Sequence, residues 1–327
     1  MEVHLGHVAM SVHVANASPS RTMTAKRFAT IADREAGLRK LEHLAEQNIE
    51  SCIRLLYHNR AHDIKFFRLS SRLIPLVGHE LTEGWDYMKP LADAFAKLGT
   101  VIKDDNVRAD FHPDHFVVLN SPRRPVFETS LAVLRHHIRM LEAMGIPPRH
   151  RCVLHVGGAY NNKEKAIQRF IDNWGEVPEE IRSCLMLEND DKIFTAEDTL
   201  QLSESLKIPM VLDIHHHRCN HQGEEDDILH LLPRIVERWS SSPLPMKMHI
   251  SSPRGPEDKR SHADYINPDD LFPFLHKLAR YTPRVDVMVE AKKKDDAVLR
   301  LAQWVKEEGE TNGVRFINGG SFEIHPK

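Results

Sequence analysis

The chain has 327 residues, enough for one large or two small domains. Apolar residues make up 41 % and charged residues 28 %, a balance that excludes a disordered or low-complexity chain. Net charge is −3, which gives no global electrostatic sign of a nucleic-acid partner, whereas 22 histidines are an excess that needs explaining.

In chain order, short β-prone runs alternate with helical patterns. "HLGHVA" from His4 comes first, followed by helical spacing over Asp33 to Asn59. "FFRLS" from Phe66, "VRADFH" from Val107 and the helical stretch Glu128 to Gly145 come next, the last stopped by Gly145-Ile-Pro. "CVLHV" from Cys152 and "CLMLEN" from Cys184 precede a helix over Ala196 to Leu206, with Thr195 as its N-cap and Asp198 three residues on. "MVLDIH" from Met210, "MKMHIS" from Met246 and "DVMVEA" from Asp286 complete eight strands, and Lys294 to Gly309 forms the closing helix. Eight βα units fit a single-domain (β/α)8 TIM barrel over residues 1–327, with a doubly wound open sheet as the alternative. The polar stretch "SPRGPEDKRSHADYINPDD" from Ser252 follows the seventh strand, where an active-site loop belongs.

Metal-competent side chains recur at one end of these strands: His112, His155, Glu188, Asp213, His249 and Glu290 close strands three to eight. In a barrel those ends form one face, so the six converge on one cup. His79, His216 and His262 follow in adjoining loops. A single histidine at a strand end is more often structural than a ligand, but recurrence at six strand ends is hard to explain without partners for such costly groups. Mixed imidazole and carboxylate donors suit Mn²⁺, Zn²⁺ or Fe²⁺ better than Mg²⁺ or Ca²⁺. Lys247, two residues before His249, shares its face and is expected beneath the metals, either paired with Glu290 or Glu188 or carrying an adduct or depressed pKa. His43, His136, His137, His230 and His276 lie in helical patterns and read as solvated or capping.

Other chemistries lack their motifs. There is no P-loop, no H-E-x-x-H and no G-x-S-x-G. Cys52, Cys152, Cys184 and Cys219 are too scattered for a disulfide framework or thiolate zinc site and suit a reducing compartment. No run reaches the roughly 18 apolar residues of a membrane helix and no signal peptide is evident, so the expected location is the cytoplasm.

Seven segments in order, "FHPDHFVVLNSP", "LHVGGAYNNK", "LENDDK", "VLDIHHH", "KMHISSP", "RSHADY" and "MVEAKKKD", resemble the ultraviolet-damage endonucleases, which are related in fold to endonuclease IV. The resemblance covers nearly the whole chain. It implies three divalent ions, commonly Mn²⁺, with Zn²⁺, Co²⁺ or Mg²⁺ as alternatives. His112, His155 and Glu188 would hold one ion, Glu188 with Asp213, His249 and Glu290 a second, and His216 with His262 a third. It places His79 and Lys247 near the scissile phosphate, the lysine as a carboxyl adduct, and makes Glu188 the bridging ligand. The implied partner is duplex DNA carrying ultraviolet lesions, cut 5′ of the lesion by a monomer that acts at the nucleoid. Two positions depart from the family pattern. His115 stands where an amide precedes the aromatic Phe116, and His7 stands where the first strand often has a tyrosine; both are expected to contact the lesion. Arg123, Arg124, Arg254, Lys259, Arg260 and Lys292 to Lys294 form the expected DNA rim. A metal-dependent sugar isomerase or epimerase on a related barrel, or a non-catalytic DNA- or metal-binding protein, are the competing readings.

Overall fold

The computed structural model describes residues 1–224 and 227–327. The eight β-prone runs become the barrel strands β1 (Glu2–Val8), β2 (Phe66–Arg68), β3 (Arg108–Asp110), β4 (Cys152–His155), β5 (Leu185–Glu188), β6 (Met210–Asp213), β7 (Met246–Ile250) and β10 (Arg284–Val289). They pair in parallel around the ring, β10 returning to β1 over Glu2↔Arg284 to His7↔Val289. Between β3 and β4 the ladder shrinks to one bridge, Phe111↔Cys152, carried by Phe111 N to Arg151 O at 2.7 Å and Val153 N to Phe111 O at 3.0 Å. The result is a nearly closed TIM barrel, and the open-sheet alternative falls away.

Helices cover the outside because each strand buries both faces. The main ones are α2 (Arg34–Ala61), α3 (Ala92–Asp104), α4 (Arg124–Ala143), α5 (Lys163–Trp174), α7 (Ala196–Leu206), α9 (Ile228–Arg238), α10 (Pro268–Leu278) and α11 (Lys294–Glu308). The capping box expected for α7 is present, Thr195 and Asp198 satisfying each other's backbone N–H. A Cβ at Gly99 would lie 1.8 Å from the Met144 carbonyl oxygen, so glycine is what lets α3 approach the end of α4 this closely.

Two elements lie outside the eight-unit reading. The polar stretch after β7 folds into a hairpin of β8 (Pro253–Gly255) and β9 (Asp258–His262). After α11, β11 (Val314–Asn318) and β12 (Ser321–Ile324) form a second hairpin, and β12 runs antiparallel to the first half of β1. The histidines of the helical patterns also divide differently. His43 and His230 are exposed, but His136, His137 and His276 are buried. His136 Nδ1 meets the Tyr87 hydroxyl at 2.6 Å, His137 Nδ1 donates to Val133 O at 2.8 Å, and His276 faces the carbonyls of His325 and Asn312 at 2.6 and 2.9 Å.

Burial pulls the His137 pKa down to about 4. Its folded value thus lies below the unfolded one, so its contribution is present above about pH 6.5 and is lost as pH falls toward 4. His137→Phe is expected to gain about 2 kcal/mol relative to the wild type between pH 7.5 and 5, read from urea midpoints; a difference that does not change with pH would disprove it.

Candidate metal centre

Alternation along each strand decides which side chains enter the barrel. On β7, Met246, Met248 and Ile250 pack against the outer helices, leaving Lys247 and His249 to the interior. The lower interior is an ionic layer. Lys247 Nζ lies 3.1 Å from Asp110 Oδ2 across the barrel, Arg108 bonds Asp110 and Asp286 at 3.1 and 3.0 Å, and Arg151 stands 3.6 Å from Asp110. The lysine's partner is therefore Asp110 and not Glu188 or Glu290, because β3 faces β7 at that level. Burial lowers the Lys247 pKa to about 8, with Asp110 opposing the shift.

Above this layer the expected cluster assembles around Glu188, which is buried. His112 Nε2 and His249 Nδ1 lie 2.7 and 2.6 Å from its two oxygens, His155 Nε2 lies 3.5 Å away and His216 Nδ1 3.8 Å away. Glu290 Oε1 is 3.2 Å from His249 Nδ1. Asp213 ends β6 and caps the short helix α8 (Ile214–Cys219), accepting from His216 N at 2.7 Å. The cap turns His216 back over Asp213 Oδ2 at 3.7 Å. Three overlapping groups follow, His112/His155/Glu188, Glu188/Asp213/His216 and Glu188/His249/Glu290, each with donor atoms close enough to hold one cation.

The donors also have the electrostatics of a cation site. Burial would raise the Glu188 carboxyl, but His249, His155 and His112 outweigh it and hold it well below the usual carboxylate range. His112 is pulled down to about 4 by burial against the opposing pull of Glu188, which leaves its imidazole neutral and able to donate a lone pair. Burial pulls His216 down as well, yet Asp213, Glu188 and Glu290 push it up to about 9. Glu290 Oε1 is ion-paired with Arg68 Nη2 at 2.6 Å, but buried Asp213 Oδ2 and His155 Nδ1 have no hydrogen-bond partner. Unpaired buried donors of this kind fit divalent ions.

The remaining expected residues are placed less uniformly. His262, at the end of β9, sets its ring 5.2 Å from that of His215 and 6.4 Å from that of His216. His79 caps a 3₁₀ turn, Nδ1 accepting from Leu81 N at 3.1 Å, and no contact joins it to the cluster among the described residues. His115 and Phe116 are exposed on the rim of a depression of about 840 Å³ whose floor includes His155 and His216, with Arg123 in its wall. Arg254 and Arg260 ride the β8–β9 hairpin, 3.6 Å from Asp258 and Asp191. Arg124, at the start of α4, is ion-paired with Glu128 and Glu176.

His7 is a correction. Odd positions of β1 face outward with Val3 and Leu5, so its ring is fully buried against α2, 2.8 Å from the Asn59 amide and 3.1 Å from Met10 O. It presents no surface to a lesion. Sequence reasoning also missed Arg68, whose Nη2 touches both Glu290 and His249 Nε2, the latter at 2.9 Å. It missed Asn189 too, which clamps both backbone groups of Asp213 at 2.9 Å. Inward alternation from Phe66 on β2 was the available signal for Arg68; the asparagine, just past a strand end, carried none.

A TIM barrel with imidazoles and carboxylates gathered at the C-terminal strand ends defines a barrel enzyme with a cation-competent reacting face. Residues 3–323 match the family described as UV-endonuclease UvdE. The chain is 48 % identical over 327 residues to the UV DNA damage endonuclease of Halalkalibacterium halodurans (strain ATCC BAA-125 / DSM 18197 / FERM 7344 / JCM 9153 / C-125), covering 100 % of both. It superposes on the crystal structure of SacUVDE with a TM-score of 0.81 at 28 % identity, over 94 % of this chain and 99 % of that one. An L-ribulose 3-epimerase structure is similar in fold alone, with 15 % identity and a TM-score of 0.53 over 74 % and 76 % of the two chains. The chain belongs to the UvdE family and is a UV-damage repair endonuclease, a hydrolase that acts on DNA. The sugar-epimerase reading is thereby set aside. No helix among the described residues is long and apolar enough to cross a membrane.

Proposed function

We propose that the enzyme hydrolyses the phosphodiester immediately 5′ of ultraviolet photoproducts, cyclobutane dimers and 6-4 photoproducts, and of other helix-distorting lesions, leaving a 3′-hydroxyl. The observation that carries this reading is the meeting of three donor groups on one carboxylate, Glu188. His112 and His155 would share one divalent ion with Glu188, His249 and Glu290 a second, and His216 with His262 a third; Asp213, beside both Glu188 and His216, stands between the last two. Bound ions, Mn²⁺ foremost, supply Lewis acidity and a nucleophile at neutral pH.

The chain's own groups supply the rest. Neutral His112 offers its lone pair without first losing a proton. The cap on Asp213 and the Asn189 clamp fix the carboxylate before substrate arrives. Arg68 neutralises Glu290 from the barrel side, and Lys247 brings a cation beneath the phosphate site. Exposed Arg254, Lys259, Arg260 and Lys292 line the same face and would contact flanking phosphates. His115 and Phe116 would fill the gap left by an extruded lesion, which costs less to unstack than a normal pair.

Metal-stripped protein, a duplex with one defined photoproduct and a panel of dications test this directly, the cut being mapped on a sequencing gel. The expected result is a nick 5′ of the lesion, strongest with Mn²⁺. No nick under any ion, or a cut elsewhere, defeats the proposal.

A further inference from the structure

Among the described residues, four of the seven exposed large apolar side chains, Met10, Val12, Phe116 and Tyr160, stand in loops after β1, β3 and β4, on the face of the cluster. Phe116 and Tyr160 share the depression floored by His155 and His216. Met10 and Val12 rise on another flank, where β1 lies between β10, which leads to Glu290, and β2, which carries Arg68. Apolar tips concentrated beside a charged centre mark a contact surface.

The loop that carries Met10 and Val12 is fixed from below. Ala9, at φ 50°, turns the chain sharply; Ala9 N donates to Arg68 O at 2.9 Å and Met10 N to Val8 O at 2.5 Å. Fully buried Asp295, at the start of α11, accepts from Val12 N at 2.9 Å through one oxygen and from the Ser11 hydroxyl through the other. His58 stands 3.1 Å from that second oxygen, and His13 meets Asp296 at 2.8 Å. Three protein groups thus converge on one buried carboxylate and hold two apolar side chains in water, 41 % and 51 % exposed. Lys292 and Lys293 lie three and two residues before this anchor and are suited to phosphates beside the loop.

We infer that Met10 and Val12 form an apolar wedge that enters the base stack of duplex DNA next to the lesion, on a different side of the centre from Phe116, and that Asp295 is its positioning residue. The inference rests on the nuclease reading. Proteins that kink DNA insert apolar side chains between base steps and so unstack them. A stack already weakened by a lesion yields to the wedge more readily than an intact one, which adds selectivity without base-specific contacts.

The test uses the metal-loaded enzyme and two duplexes carrying the same photoproduct, one with its normal complementary bases and one with two mismatches opposite the lesion. Met10→Ser with Val12→Ser is expected to slow nicking of the first by about tenfold and to restore it to within about twofold of wild type on the pre-opened second. Asp295→Asn is expected to show a smaller loss with the same rescue. Equal rates for wild type and double variant on the first duplex, or an equal loss on both, overturn the wedge. Wild-type enzyme that nicks neither duplex overturns the nuclease reading itself, and the wedge with it.

Discussion

Exchange of Glu188 for glutamine is expected to slow single-turnover nicking by at least about a thousandfold while leaving the circular dichroism spectrum unchanged. The side chain keeps its shape, but a neutral amide replaces the carboxylate that lies within reach of His112, His155, His249 and His216 at once. All three donor groups include this residue, so one substitution weakens every position instead of one. Divalent-ion uptake measured on the same protein separates this from a purely structural defect: the variant should retain its fold and lose bound metal. A variant that nicks within tenfold of wild type would remove the shared carboxylate from the mechanism.

The second large effect falls on stability. Asp110→Ala is expected to cost on the order of 3–5 kcal/mol, because it removes one partner of a buried ion network and leaves cations without compensation. Lys247 and Asp110 are both fully buried, and Arg108 and Arg151 lean on the same carboxylate. Those three cations hold the Asp110 carboxyl below its usual range against the opposing effect of burial. Urea unfolding at pH 7 reads the loss. The double variant with Lys247→Met should recover part of it, since an unpaired ammonium is then absent from the barrel interior. A single-variant cost under about 1 kcal/mol would mean that water or a local shift repairs the layer.

Much of the fold was legible in the sequence because barrel strands and helices have different periods. "MVLDIH" and "MKMHIS" stand out as short apolar runs, and Thr195 with Asp198 marks a helix start by its own chemistry. The cluster was legible for a related reason: a parallel ring puts all strand ends of one polarity together, so His112, Glu188 and His249 needed no long-range information beyond strand order. What escaped depends on partners remote in sequence. Asp110 looks like any acid in "VRADFH" until β3 faces Lys247 from across the ring. His7 was misplaced by matching a position and neglecting strand parity, since its neighbours Val3 and Leu5 already pointed to the helices. The β11–β12 hairpin was missed because nothing local says that "VRFIN" and "SFEI" will pair with each other and lie against β1.

That hairpin bears on how the molecule assembles. β1 is flanked by β10 on one side and by β12 and β2 on the other, and Ile324 N donates to Met1 O at 2.9 Å. A chain leaving the ribosome can therefore pair only the second half of its first strand, with β2, until β10 and β12 are made, and the loop that presents Met10 and Val12 meanwhile lacks Asp295 as its anchor. Contacts separated by nearly the whole chain are the slowest to form. Glu290 joins the cluster only after the seven other barrel strands exist, so the nascent polypeptide passes through most of translation with its donor cluster incomplete. Ring closure by β10 thus completes the cluster around Glu188 and anchors the loop after β1 in the same late event.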